Sequence, residues 1–599
     1  LGQFPQRDWE VFLALLDWIV VAIFLCGVLG IGMWFSKRAS GSLENFFLSG
    51  RNLPWWLAGT SILATSFASD TPLHVTRVIR EEGLSGTWFY WSGILTHLVV
   101  TFWFARLWRR TGVLTDAEFT ELRYSGRPAA VLRGTMGAIR GLFLEALTLA
   151  WVTLGMVKVV GIVLGLPETF EFVGITWSSN LMVVAVLMAL VLVYSVSAGL
   201  WGVVVTDFIE FIVAMGGAVL VAVIGWNEIG GSEGLRDSLE KNDALSTSML
   251  DFFPDFSQVD MSGLTMAVYL GVLWWANGAI DGSGKRAQRF LACRSEADAL
   301  GSGIWNVAVQ WIMRSWPWYV AALVSLVLYP ELADPESAYP MLIKDLLPVG
   351  LKGLMVAAFL AAFMSTVDTH LNLSSAYVVN DLYKRFLVPD EQPAHYVRVA
   401  RFSLVGLAIV TGLIALWLPS IFYAYKLKME LIGGLGGVIL MRWLWWRVNA
   451  WCELTALGTS MFLAIGLHFS PINGRGMDDF AMRMLIIVGV STLAWVIVAF
   501  CTEPEPREQL RAFYGRVGPP RWGWRPIAKD VPDAPDGFGT MAFVQALICA
   551  VFVFTGLFGI GFLILGPTGQ GLILVGLSAL SCGILLWLCF YRKEPTPRD

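Results

Sequence analysis

Apolar runs of roughly 20 residues recur along the whole chain, about fifteen in all. Lipid tails offer no hydrogen bonds, so each run must satisfy its own backbone, which a helix does and an open strand does not. The runs cover 12–34, 55–79, 88–108, 134–164, 177–195, 199–226, 264–282, 304–329, 353–385, 402–418, 422–446, 450–468, 482–501, 541–565 and 572–591. Composition points to the same class: 56% of the 599 residues are hydrophobic and only 15% charged, which excludes a soluble multidomain enzyme. The first run is too long for the core of a signal peptide and ends in Ser36-Lys37-Arg38, so no cleaved leader is expected. An all-α polytopic membrane protein follows.

Loop charge sets the threading. Basic loops (Lys37/Arg38, Arg106/Arg109/Arg110, Lys285/Arg286/Arg289/Arg294, Lys384/Arg385/Arg398, Arg442/Arg447, Arg592/Lys593) alternate with acid-rich ones at 228–260 and 331–345. The positive-inside rule puts the basic set in the cytoplasm and the N-terminus outside a plasma (inner) membrane; with an odd number of spans the C-terminus is cytoplasmic. The Pro-, Arg- and Trp-rich stretch 503–536 reads as a cytoplasmic linker, too short for a catalytic domain.

Polar residues intrude on three runs. In 55–79 the interruption is Ser66-Phe67-Ala68-Ser69-Asp70-Thr71-Pro72. In 264–282, Trp274-Trp275-Ala276-Asn277-Gly278 leads into Asp281-Gly282-Ser283-Gly284. Unwound backbone at membrane depth is tolerated only where it lines a cavity or is packed in protein, and a matched pair of interrupted helices points to a carrier's binding site. A packing kink at Pro or Gly is the plainer reading of either one alone. In 353–385, Ser365, Asp368 and Thr369 are spaced i, i+3, i+4, so a helix puts their oxygens on one face, a donor set for a hard cation. The plainer alternative is that the hydroxyls bond back to the preceding turn.

Six fragments carry a resemblance. LSGRNLPWW (48–56), LTDAEFTELRY (114–124), GLWGVVVTDFIEF (199–211), AQRFLACRS (287–295), LAAFMST (360–366) and NDLYKRF (380–386) follow one another along the runs. Together they resemble the sodium:solute symporter family, the group of the sodium/glucose and sodium/proline cotransporters. The third fragment, for example, is similar to a family pattern ending T-D-x-x-Q. The resemblance implies a ten-helix core of two inverted five-helix repeats with broken first helices, in 54–227 and 264–447, plus about five peripheral helices. The latter are an extra helix and loop in 1–53, two helices in 448–502, and two more with a tail in 541–599, after a linker at 503–540.

The resemblance also implies sites. A coupling Na⁺ is expected between the carbonyls of Ala64, Phe67 and Ala362 and the hydroxyls of Ser365 and Thr366. A possible second cation site comprises Asp207, Ser365, Asp368 and Thr369. Asp368 departs from the family, which usually has a hydroxyl there; two carboxylates suit a second Na⁺ or share a proton. Asp70 matches an aspartate that proline-type members need for Na⁺-dependent transport, in gating or cation steering. An Asp before a first-turn Pro is also an ordinary helix start.

The solute pocket is expected at mid-membrane, between the breaks and core helices two, three, seven and ten. Candidates are Thr71, His74, Trp88, Tyr90, Trp91, Arg140, Glu145, Trp274, Asn277, Asp281 and Arg314. Aromatic walls with a few polar groups suit a small polar organic solute. Arg140 and Arg314 suit a carboxylate, or else pair with Glu145 or lie at an interface. Gly282-Ser283-Gly284-Lys285 lacks the spacing of a phosphate loop and no His spacing suits a metal, so no enzyme is expected. The expected activity is Na⁺-coupled symport of such a solute by alternating access. The alternatives are a proton-coupled carrier of the same fold and a solute sensor acting through a partner protein. Expected partners are the solute and membrane lipid, not nucleic acid.

Overall fold

The computed structural model describes residues 13–591 apart from 37–42, 173–174, 196–199, 243–245, 255–262 and 471–475. Among the described residues, nine helices are long and apolar enough to cross a membrane. The first helix, α1 (Leu15–Ser36), precedes α2 (Trp55–Ser66) and α3 (Thr71–Glu82), the halves of the first broken helix. Next come α4 (88–111), α5 (Gly126–Val163), α6 (Ser179–Ser195) and α7 (Leu200–Glu228). The second broken helix is α8 (Gly263–Leu273) with α9 (Lys285–Ala292). It is followed by α10 (Glu296–Leu328), α11 (Leu351–Leu387), α12 (Pro393–Trp417), α13 (Ile421–Gly433) and α14 (Gly436–Leu444). The rest is α15 (Ala450–His468), α16 (Met477–Cys501), α17 (Arg507–Val517), α18 (Arg521–Ala528), α19 (Thr540–Leu565) and α20 (Thr568–Tyr591). A small antiparallel hairpin, β1 (Thr169–Phe172) with β2 (Ile175–Ser178), takes the place where the run at 177–195 was expected to begin.

Burial ranks the helices. The apolar window of α11 is 89% buried and that of α20 only 11%. A helix hydrophobic all round is either buried or lipid-facing, and these two take the opposite options. The central post is therefore α11, which packs on α1, α2, α5 and α7. That puts the polar stretch 365–370 in the middle of the bundle, where Ser365, Thr366, Asp368, Thr369 and His370 are all buried.

Two sequence expectations change. The run 264–282 is interrupted where expected, with α8 stopping at Leu273 and irregular backbone following to Gly284, but the chain then resumes as the helix α9 rather than as a basic loop. Lys285, Arg286 and Arg289, read as loop charges, therefore belong to the core, and Arg289 is 1% exposed. Charge composition cannot separate a solvated basic loop from a helix whose charges find buried partners. Second, 503–536 is not a bare linker but forms α17 and α18, which dock on the bundle. Trp524 is buried, donates its indole N–H to the Trp443 carbonyl at 2.8 Å, and lies 4.7 Å beneath the Arg123 guanidinium. Arg123 also faces the rings of Tyr124 and Phe513. Lys37, Arg38, Arg592 and Lys593 lie outside the described residues.

Candidate functional site

The chain leaves helical geometry after Ser66 and regains it at Thr71. The Phe67 amide bonds to the Ala64 carbonyl at 2.9 Å, a tight turn that ends the α2 ladder. Asp70 caps α3 by position but not by side chain, which makes no capping hydrogen bond. Instead its carboxyl is buried, with Oδ2 3.7 Å from His74 Nε2. The break packs on Gly155 of α5: a Cβ there would meet the Asp70 Cα at 2.8 Å. The second break rests on Gly436 in the same way, where a Cβ would meet the Asn277 amide at 2.7 Å.

The two breaks touch. Lys285, the first residue of α9, donates its ammonium to the Thr65 carbonyl at 3.2 Å. A cation at the C-terminal end of α2 is favoured by the carbonyls that the missing next turn leaves open.

Hydroxyls on α2 and α3 mostly bond back one turn: Thr60 to Trp56, Thr65 to Ser61, Ser66 to Ile62 and Thr76 to Pro72. This is the ordinary use of a Ser or Thr inside a helix. Thr366 does otherwise: its Oγ1 is buried with no hydrogen-bond partner among the described residues. Among the described residues the Phe67 carbonyl likewise takes no backbone donor. Because α2 and α11 pack together, free oxygens of both kinds lie on contacting elements. Buried oxygens without donors suit a bare cation, so the residues present fit Na⁺.

Beside them lies a second polar cluster. Asp207 on α7 is fully buried and accepts from the Ser61 hydroxyl at 2.6 Å and from Ser365. Arg289 on α9 donates to Ser61 at 3.0 Å and to Thr369 at 3.0 Å. Asp368 accepts from the Asn372 amide at 2.9 Å. Glu210, one turn after Asp207, is 2% exposed, and neither carboxyl oxygen has a partner among the described residues.

The solute candidates separate into two groups. His74 bonds to the Tyr90 hydroxyl at 2.7 Å and stacks on Tyr425 of α13 at 5.8 Å, beside Asp70 and Thr71. Arg314 on α10 lies 4.9 Å over Trp318, whose ring is 4.9 Å from that of Phe67. The other group has its polar atoms engaged structurally. Arg140 is paired with Asp116 at 2.7 Å and with the Gly278 carbonyl. Asp281 is fully buried and bonded to Arg442 at 2.6 Å and Trp443 at 2.7 Å. Asn277 closes its own turn onto Trp274 and Ala279, and the Trp274 carbonyl also accepts from Thr96. Trp88 and Trp91 donate to the Phe252 carbonyl and the Tyr319 hydroxyl. Glu145 pairs with His370, not with either arginine.

Wide, π-type turns mark the helices around this centre, at Val100–Phe104, Ile139–Leu144, Tyr269–Leu273, Val309–Met313 and Tyr377–Leu387. Such turns are frequent at functional sites because they free a carbonyl and re-aim a side chain. Sequence reasoning missed Ser61, Glu210, Lys285, Arg286 and Arg289. Glu210 had a signal, since it stands where the family pattern ends in Gln. Ser61 is one helical turn before Ala64 and had none.

The model of the sodium:solute symporter family matches residues 46–457. A sodium/glucose cotransporter of Vibrio parahaemolyticus is 26% identical over 518 residues, covering 82% of this chain and 90% of that protein. A sodium/mannose cotransporter of Bos taurus is 24% identical over 579 residues, covering 87% and 91%. A solved structure of a Na⁺-coupled sialic acid symporter, in a substrate-bound outward-open state, superposes with a TM-score of 0.65 at 20% identity, over 82% of this chain and 99% of that one. It shares the fold. A family match over most of the chain and a shared fold lead to one conclusion: this protein belongs to the sodium:solute symporter family.

Proposed function

We propose that the coupling Na⁺ of this multi-pass symporter is held by the carbonyls of Ala64, Phe67 and Ala362 and the hydroxyls of Ser365 and Thr366. The observation that carries the reading is the Thr366 hydroxyl, buried with no partner in a protein whose other helical hydroxyls mostly find one. The carbonyls come from a helix that stops and a helix that crosses it. With Na⁺ in place the break is tied to α11; without it, α2 and α3 are free to tilt. Alternating access follows: Na⁺ enters from outside, the solute binds beside the breaks, and the core rocks inward. Each Na⁺ moving down a membrane potential contributes about 2.3 kcal/mol per 100 mV. The plasma membrane, with the N-terminus outside, is the setting that the loop charges favour.

The second cation position is taken by the protein itself. Arg289 reaches the Thr369 and Ser61 hydroxyls and places a guanidinium beside Asp207, where another Na⁺ would otherwise be drawn. One Na⁺ per cycle is the reading this supports. Glu210, buried with two free carboxyl oxygens, favours a proton as any second coupled ion. The sodium/glucose and sodium/mannose relatives support a solute of sugar size. Asp70, at the mouth of the break, steers the cation. Uptake into proteoliposomes in Na⁺ medium against Li⁺, K⁺ or choline medium tests the coupling; equal rates in all four would end it.

A further inference from the structure

Cations gather where the two breaks meet. Around the two breaks stand Lys285 and Arg286 of α9, Arg314 of α10 and Lys428 of α13. The facing acids are Asp70 and Glu145, and Glu145 is already bonded to His370. Lys285 has the Thr65 carbonyl and Lys428 the Thr148 hydroxyl, at 2.5 Å. The two guanidiniums are less well served. Arg314 is 4% exposed, and its Nε and Nη1 have no acceptor among the described residues. Arg286 touches His97 on one side, and its Nε has no acceptor either.

The free groups are arranged. Gln310, Arg314 and Trp318 recur every four residues of α10, beginning within its wide turn, and so share one face. Each has a buried polar atom without a partner: Gln310 Oε1, Arg314 Nε and Nη1, and Trp318 Nε1. Arg314 and Arg286 lie within electrostatic reach of each other and of the first break. The unsatisfied donors among these, on Arg314, Trp318 and Arg286, are costly to bury unless an anion completes them, while Gln310 Oε1 is an acceptor suited to a hydroxyl of the same ligand. A guanidinium fork matches the two oxygens of a carboxylate. Nearby, the joined rings of His74, Tyr90 and Tyr425 offer an aromatic surface for an uncharged body.

We infer that the transported solute is a small organic acid, its carboxylate held by Arg314 and Arg286 and its polar body lying against His74, Tyr90 and Tyr425. The inference rests on the reading of this centre as the solute site of a Na⁺-coupled carrier. It also supplies a physical basis for coupling, because Na⁺ and the acid enter a low-dielectric site as opposite charges and each favours the other.

The test is thermal stabilisation of the purified full-length protein by three matched pairs: D-glucuronate and D-glucose, D-gluconate and D-glucitol, L-lactate and 1,2-propanediol. Each is measured in Na⁺ and in K⁺ at constant ionic strength. At least one acid is expected to bind in Na⁺ more than about tenfold tighter than its neutral partner, a difference of about 1.4 kcal/mol. Arg314→Gln is expected to erase that preference while keeping the shift given by Na⁺ alone, with Arg286→Gln as the parallel variant should the first not fold. The inference is overturned if a neutral member matches its acid, if no acid binds, if chloride stabilises as well as every acid, or if a folded Arg314→Gln variant keeps the preference. A failure of the sodium reading looks different: the protein then shows no Na⁺ effect in any arm, whatever the acids do.

Discussion

The guanidinium of Arg289 and the hydroxyl of Thr369 are hydrogen-bonded at 3.0 Å in the interior of the bundle, joining the second half of one broken helix to the central post. The same guanidinium donates to Ser61, whose hydroxyl is turned onto Asp207. A resident cation at this place predicts a Hill coefficient near one for Na⁺ in uptake assays. A coefficient approaching two would show that another Na⁺ does enter. Arg289→Gln leaves Asp207 without its nearest cation and is expected to cost about 3–5 kcal/mol, read as a lowered denaturation midpoint.

Thr366→Val keeps the shape of the side chain and removes only the free hydroxyl. Na⁺ half-saturation for uptake is expected to rise about tenfold or more, equivalent to about 1.4 kcal/mol, with the melting temperature in K⁺ unchanged. Thr366→Ser should restore most of the affinity. If valine leaves Na⁺ dependence untouched, the hydroxyl is not a ligand.

Gly155→Ala inserts a methyl group 2.8 Å from the Asp70 Cα. Backbone cannot yield as a flexible side chain can, so the break must shift, at about 1–3 kcal/mol. The expected outcome is a folded protein with greatly reduced Na⁺-driven uptake. Gly161→Ala, on the same helix with no atom within 4 Å of its added Cβ, is the control and should transport normally.

Trp524→Ala removes a buried ring that carries the Arg123 cation and a hydrogen bond to Trp443. A loss of about 3–5 kcal/mol is expected. Limited proteolysis should then cut between α17 and α18, where the wild type is expected to resist. Unchanged stability would return this stretch to the status of a tether.

Acid should weaken one interhelical clamp. Glu121 accepts from Arg133 at 2.6 Å and from Arg385 at 2.9 Å. Burial pushes its carboxyl upward, but the two guanidiniums outweigh this and hold it below the usual value. A depressed folded value stabilises above the unfolded one, and the gain fades as pH falls through the folded value. Between about pH 6 and about pH 3 the wild type should lose more melting temperature than Glu121→Gln, which has no such charge to lose. Parallel curves would show that the clamp carries no net weight.

The sequence alone determined the class of the molecule, most of its helices and the places of both breaks. Those follow from local rules: a run of apolar residues must be a helix in lipid, and Ser66 to Pro72 cannot continue one quietly. It also put Ser365, Asp368 and Thr369 on one face, because that depends only on helical spacing. The positions of Lys285, Arg286 and Arg289 were decided by tertiary structure. A basic segment reads alike whether water or Asp207 satisfies it, and only the fold brings α9 against α2 and α11. The separation of Arg140 from Arg314 was decided the same way: Asp116, 24 residues away along the chain, engages one, and among the described residues none hydrogen-bonds the Nε and Nη1 of the other. Spacing along a chain fixes faces; which face meets which is fixed by packing, and a charge takes its role from what it meets.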